Sequence, residues 1–378
     1  MSGEMPDRYR RHILTRERID GIDHHWVWSP GEIHRSRFRR ASNYAVFAAS
    51  AAIRAVTLPR PDVVLVSSPP LTVAPIGPLL ARRFRCPWVL EVRDIWPESA
   101  VSVGWLREGS LAYKMLERVA HRATRNADMV LVPTPGLEPL VRAQGARSAT
   151  TLTGAISPRP VDILRRSAAR ISLELTDAES LFVYVGAIGI ANGLDILIEA
   201  VKLLPPSVPA RIVIAGDGSA RHALAEALKA GGLGRLILLP PMPRDKLDDL
   251  LAAADVGLHL LRPDPVFESA LPSKVLDYLG ARLPFITTVG GLPKQIALDS
   301  GGAAVRSAAE LAREIERWAA MTGAERRKRG QQAFAYGLRE FGLDAGVSRL
   351  EEMLAVLLAS PAGQSPNASR SNAAQPPP

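Results

Sequence analysis

The 378-residue chain has one cysteine, Cys86. No internal disulfide can form, and a reducing cytoplasm fits. It has no D-x-D pair to hold a divalent metal and no G-x-S-x-G nucleophile turn. It also has no G-x-G-x-x-G after an early strand, the loop that nicotinamide-dependent oxidoreductases use. The seven histidines show no ligand spacing, and His24–His25 reads as a strand edge rather than a metal site. No bound metal and no resident cofactor are expected. One uncharged run, Val63 to Ala81, approaches the length of a membrane span. It contains Pro69, Pro70, Pro75 and Pro78 with Ser67 and Ser68, so a strand, a turn and a helix start explain it better. The first twenty residues are too charged for a secretory signal.

Positive charge, by contrast, is plentiful. Lys and Arg total 47 against 38 Asp and Glu, a net charge of +9, and Arg8, Arg10, Arg11, Arg35, Arg37, Arg39 and Arg40 crowd the first forty residues. This balance suits an anionic partner such as a nucleotide, a nucleic acid or an acidic membrane surface. Solvated basic faces explain any single cluster equally well. A composition 47% hydrophobic and 22% charged is that of a globular protein. The length predicts two domains of roughly 150–180 residues.

Short apolar strands alternate with helical periodicity. Pro61 to Ser68, Trp88 to Val92 and Asp128 to Pro133 read as strands, with a helix at Leu111 to Ala127. After a looser stretch around Ser157 to Ser180 the pattern restarts with strands at Leu181 to Ala187, Arg211 to Gly216, Leu236 to Leu239, Val256 to Leu261 and Pro284 to Thr288. Such alternation implies parallel sheets with crossover helices, an α/β fold of two doubly wound domains. The expected division is 1–160, 161–345, a terminal amphipathic helix within 346–358, and a disordered Ser-, Pro-, Asn- and Ala-rich tail over 359–378.

Three segments could carry chemistry. In ALPSKVLDYLGARLPF (Ala270 to Phe285), Pro272 fits a helix's first turn and Lys274 follows within it. A cation there opposes the helix dipole unless an anion binds alongside. Asp277, three residues on, shares a face with Lys274 and could accept hydrogen bonds from a ribose diol. A plain i,i+3 ion pair is the alternative. In VYVGAIGIANGLD (Val183 to Asp195), Gly186 and Gly189 would let a loop approach a phosphate. In SSPPLTVAPIG with LEVRDIWPESAVSVG, Arg93, Asp94 and Glu98 gather beyond the carboxyl end of the Trp88 to Val92 strand, where parallel sheets bind ligands. An ion pair tying two loops is the alternative there, and ESAV reads as packing and helix capping.

These segments resemble the GT-B glycosyltransferases of family 4, in particular the bacterial O-antigen and exopolysaccharide subgroup that includes N-acetylfucosamine transferases. The resemblance covers most of residues 8–345. It implies a GT-B fold, with two Rossmann-like domains facing across a cleft, and retaining transfer from a nucleotide-sugar, UDP-linked by preference. The acceptor would be a glycan or polyprenyl-linked sugar in cell-surface or lipopolysaccharide biosynthesis. The cytoplasmic side of the membrane is the implied location, with room for peripheral membrane contact and no nucleic acid partner.

By resemblance Lys274 stabilises the departing diphosphate, Asp94 orients acceptor or sugar, and Arg93 offsets developing charge. Ser68 and Glu98 belong to the acceptor side. Gly186, Gly189, Gly216, Asp277 and Glu268 belong to the donor side. Asp277 falls on the second glutamate of the family's E-x7-E motif; the first falls on Ser269, with Glu268 one place away. The loop after Gly186 lacks the arginine and lysine of many relatives, which leaves Lys274 as the main donor-side cation, helped by the Gly189 amide. Residues 1–28 match what normally follows a first β-α-β unit, so an N-terminal domain shortened at its start is expected, and with it a non-catalytic or decayed member as the alternative to an active transferase. A nucleotide-sugar epimerase is a further alternative.

Overall fold

The computed structural model describes residues 13–30, 37–102, 104–160, 162–176 and 178–359. The arginines at 8, 10, 11 and 35, and the tail beyond 359, lie outside them. The chain forms two compact units, Met1–Leu152 with Leu350–Pro378, and Thr153–Arg349.

The first unit opens with a hairpin, β1 (Leu14–Ile19) and β2 (Ile22–Val27), turned at Asp20 and Gly21, both at positive φ as a two-residue hairpin turn requires. His24 and His25 lie in β2 opposite Glu17 and Arg16. A parallel sheet follows, in the order β3 (Val64–Ser68), β4 (Trp88–Val92), β5 (Met129–Val132) and β6 (Ala149–Thr151). Its two faces follow strand alternation. Trp88, Leu90, Val92, Val130 and Val132 pack toward the helices Ile76–Phe84 and Leu111–Asn126, where Gly77 lies flat against the Trp88 indole. Val89, Met129 and Leu131 pack with Leu350, Met353, Leu354 and Leu357 of the last helix, Leu343–Ala359.

The second unit is a six-stranded sheet in the order β12-β11-β10-β7-β8-β9, with every pair parallel. The strands are β7 (Ser180–Val185), β8 (Ala210–Ala215), β9 (Leu236–Leu239), β10 (Val256–His259), β11 (Phe285–Thr287) and β12 (Ala303–Ala304). All six residues of β7 are buried. Phe182 and Tyr184 join one core while Leu181, Val183 and Val185 join the other, so both faces are covered and the strand reads as a continuous apolar run. Full burial of each such side chain contributes about 1.5–3 kcal/mol. From β7 the chain steps one way through β8 and β9, then returns to the other side as β10, β11 and β12. The strand order therefore reverses between β7 and β10, and the carboxyl ends at such a reversal are where open parallel sheets bind ligands in a crevice.

Three expectations need correction. The stretch 157–180 is not loose. It holds the helix Ile163–Ser172, capped by the Asp162 carboxylate on the Arg165 N–H. The division between units falls at Leu152–Thr153, not at 160, because residues 154–160 pack within the second unit. Ile156 is buried there and donates its N–H to the Phe341 carbonyl, and Arg159 donates its own to Gly280. The last helix is likewise not separate: from Leu350 on it belongs to the first unit. Among the described residues no helix is long and apolar enough to cross a membrane.

Candidate active site

The crevice between β7 and β10 gathers the second unit's unusual side chains. Pro272 stands at the N-cap of the helix Ser273–Gly280, and Val275, Tyr278 and Leu279 anchor that helix in the core. This anchoring lays Lys274 over the ring of Tyr184, with Nζ 4.1 Å from the ring centroid. The ammonium is buried although the residue keeps some surface, and among the described residues Nζ has no hydrogen-bond partner. Burial lowers its pKa from 10.5 to about 8. A cation over an aromatic face recovers only about 0.5–2 kcal/mol. Holding the charge there costs on the order of 3 kcal/mol by that shift.

The glycines explain how close the backbone comes. Gly186 has φ 125°, and a side chain on it would meet the Lys274 Nζ. Gly216 has φ 156°, and a side chain on it would run into the Gly186 carbonyl. The loops after β7 and β8 are thus stacked backbone on backbone and tied by the Ile188 N–H to the Asp217 carbonyl, 2.8 Å. The Gly189 amide is not free for a ligand, since it donates to Asn192 Oδ1 at 2.8 Å.

Asp277 does not meet Lys274. Its Oδ1 accepts from Arg159 at 2.9 Å and Arg244 at 2.7 Å, and Arg159 also reaches Asp248 at 2.7 Å. Neither the shared face nor the i,i+3 pair forms, because Lys274 turns toward β7 and Asp277 toward the two arginines. Both arginine bonds fall on Oδ1. Glu268 sits against Gly290 and Gly291 at the start of the helix Gly291–Asp299, where side chains on those glycines would collide with it.

Sequence spacing gave no sign of His259, at the end of β10. The ring is fully buried, its Nδ1 lies 3.0 Å from Thr287 Oγ1, and Nε2 has no partner among the described residues. Burial first, and the Lys274 charge second, lower its pKa to about 3, so the ring is neutral.

In the first unit the predicted residues collect at the carboxyl ends of β3 and β4. The buried Ser68 accepts the Arg93 N–H at 2.9 Å through its carbonyl. Ser68, Asp94, Trp96, Thr124 and Gln144 line one small recess. Arg93 and Asp94 are both exposed. Crowding by neighbouring atoms raises the Asp94 pKa, and the Arg93 charge partly offsets it. Glu98 opens the short helix Glu98–Ser102; its Oε1 accepts from the Tyr113 hydroxyl at 3.4 Å, and its buried Oε2 has no partner among the described residues. No cluster of three or more metal-binding side chains occurs among the described residues.

Comparison with known proteins gives the same two parts. The family model "Glycosyl transferase 4-like domain" matches residues 5–153, and "Glycosyl transferases group 1" matches residues 179–320. The chain is 27% identical over 237 residues to the probable glycosyltransferase WbjE of Pseudomonas aeruginosa, over 61% of this chain and 58% of that protein. The match therefore spans little more than half of the relative's length. Among solved structures, Anabaena HepE in complex with UDP and glucose superposes with a TM-score of 0.65 at 16% identity, over 82% of this chain and 81% of that one. WaaG, a glycosyltransferase involved in lipopolysaccharide biosynthesis, superposes with a TM-score of 0.62 at 19% identity, over 85% of each chain.

Proposed function

The chain belongs to the GT-B glycosyltransferases of family 4, and on that premise we propose that it moves a sugar, with retention, from a UDP-sugar to a glycan or polyprenyl-linked acceptor in cell-surface polysaccharide synthesis. The observation that carries the reading is the buried, unpartnered Lys274 ammonium at the β7/β10 reversal. A cation held out of water without a counter-ion is organised for an anion that arrives with the substrate, and a nucleoside diphosphate supplies one. The HepE complex with UDP and glucose, on a similar fold, supports that ligand class.

In this reading Lys274 takes charge from the departing diphosphate. The glycine loops at 186 and 216 bring backbone close to the nucleotide. Asp277 offers Oδ2 to the ribose while its arginines hold Oδ1. Glu268 is the carboxylate nearest in sequence to the family's sugar-contacting position. On the first unit Asp94 orients the acceptor hydroxyl, Arg93 offsets negative charge, and Glu98 and Ser68 bind acceptor polar groups. The resemblance to family 4 supports retention, with the leaving phosphate helping to take the acceptor proton. No step calls for a metal or other cofactor, and work at the cytoplasmic face of the membrane suits a polyprenyl-linked acceptor.

The test is UDP release from a panel of UDP-sugars, with and without lipid-linked acceptors. The reading expects acceptor-dependent release that Lys274→Ala abolishes. Tight UDP-sugar binding without turnover across the panel would favour a non-catalytic family member. Full activity in Lys274→Ala would remove the reading altogether.

A further inference from the structure

The hydrogen bonds around His259 fix its tautomer. Thr287 Oγ1 accepts the Val289 N–H at 3.0 Å, so the hydroxyl hydrogen must go elsewhere. The acceptor beside it is His259 Nδ1, at 3.0 Å. Thr287 is fully buried, away from bulk solvent, and His259 Nδ1 is the acceptor within reach of its hydroxyl. Nδ1 is therefore the acceptor, and the imidazole proton sits on Nε2. This N–H is buried and unmet among the described residues. An unmet buried donor is costly, and a fold that keeps one usually has a partner for it.

Lys274 is the second such donor, and its positive charge acts on the His259 ring. Lys274 lies over β7 and His259 ends β10, the two strands that flank the order reversal. Two donors of this kind cannot satisfy each other. A common partner must be an acceptor with several lone pairs, and beside an ammonium it is best satisfied as an anion.

We infer that His259 is the second half of the phosphate grip: its neutral Nε2–H and the Lys274 ammonium together serve an oxygen of the donor's diphosphate, directly or through one water held between them. The inference rests on the donor reading given above. The pairing has a chemical advantage. A neutral N–H adds a hydrogen bond without a second positive charge, so the diphosphate is gripped and still released.

Calorimetric titration of UDP into the full chain tests it, using His259→Gln, His259→Asn and Lys274→Ala. Glutamine extends an amide N–H to about the reach of Nε2. Asparagine keeps an acceptor for the Thr287 hydroxyl but stops short of it. The inference expects glutamine within about threefold of the parent affinity and asparagine about tenfold weaker. If His259 serves only Thr287 and the sheet, asparagine binds UDP as well as glutamine or better. That order, with Lys274→Ala weakened, overturns the inference and leaves the donor reading standing. Unchanged binding in Lys274→Ala overturns both. Thermal melting of each variant without UDP separates lost binding from lost fold.

Discussion

The two units solve the same packing problem with parallel sheets but treat charge differently at the strand ends. In the second unit the order reverses between β7 and β10, and the charge there, Lys274, is buried with no hydrogen-bond partner among the described residues. In the first unit the four strands of the parallel sheet run in sequence order; beyond β4, Arg93 and Asp94 are exposed, and Glu98 keeps one buried oxygen. A reversal sends the flanking crossovers to opposite faces and leaves a crevice deep enough to desolvate an ion. A sheet stepping one way offers a shelf, where charges are screened and each contributes less. The difference suits a tightly gripped diphosphate on one unit and an oriented, easily exchanged acceptor on the other.

The sharpest way to break this contrast is Lys274→Ala. On the proposed reading it lowers kcat/KM by about a thousandfold, with loss of UDP affinity, because it removes the buried charge which that reading assigns to the leaving group. Asp94→Asn should reduce turnover by about ten- to a hundredfold while leaving UDP affinity within about twofold. A matched loss of UDP affinity in Asp94→Asn would dissolve the division of labour.

A stability pair comes next. Gly216→Ala should cost about 3 kcal/mol by denaturant midpoint, since its methyl has only the Gly186 carbonyl to displace. Gly104→Ala in the first unit, also at positive φ but with open space around it, should cost about 1 kcal/mol.

The smallest effect is the pH dependence of Lys274. Its folded pKa, about 8, lies below its usual 10.5, so between those values the unfolded chain holds the extra proton. This group's contribution to stability therefore rises as pH goes from about 8 toward 10.5. UDP affinity should move the opposite way, falling severalfold between about pH 8 and 9 as the charge is lost. Opposite signs in melting and binding, both absent in Lys274→Ala, would tie the two to one ammonium.

Much of this was legible in the sequence, and the reasons differ by element. β4 and β9 were readable to the residue because both are short, mainly apolar runs bounded by turn residues. Lys274 was readable from P-S-K at a helix start. The helix Ile163–Ser172 was not. Its large apolar side chains, Ile163, Leu164 and Ile171, are exposed, and its arginines find partners in Asp249 and Asp255, more than eighty residues away. The commitment of Asp277 to Arg159 and Arg244 is also long-range, across 118 and 33 residues. His259 carries no motif, and its tautomer is set by a threonine 28 residues later.

The last helix sets an order of events during synthesis. The Val89, Met129 and Leu131 face of the first unit is covered by Leu350, Met353, Leu354 and Leu357. Those residues leave the ribosome only after the whole of Thr153–Arg349 has been made. Domains generally fold in the order they emerge. Here the unit begun first is finished last, and that apolar sheet face stays uncovered by its own helix for as long as translation of the second unit takes.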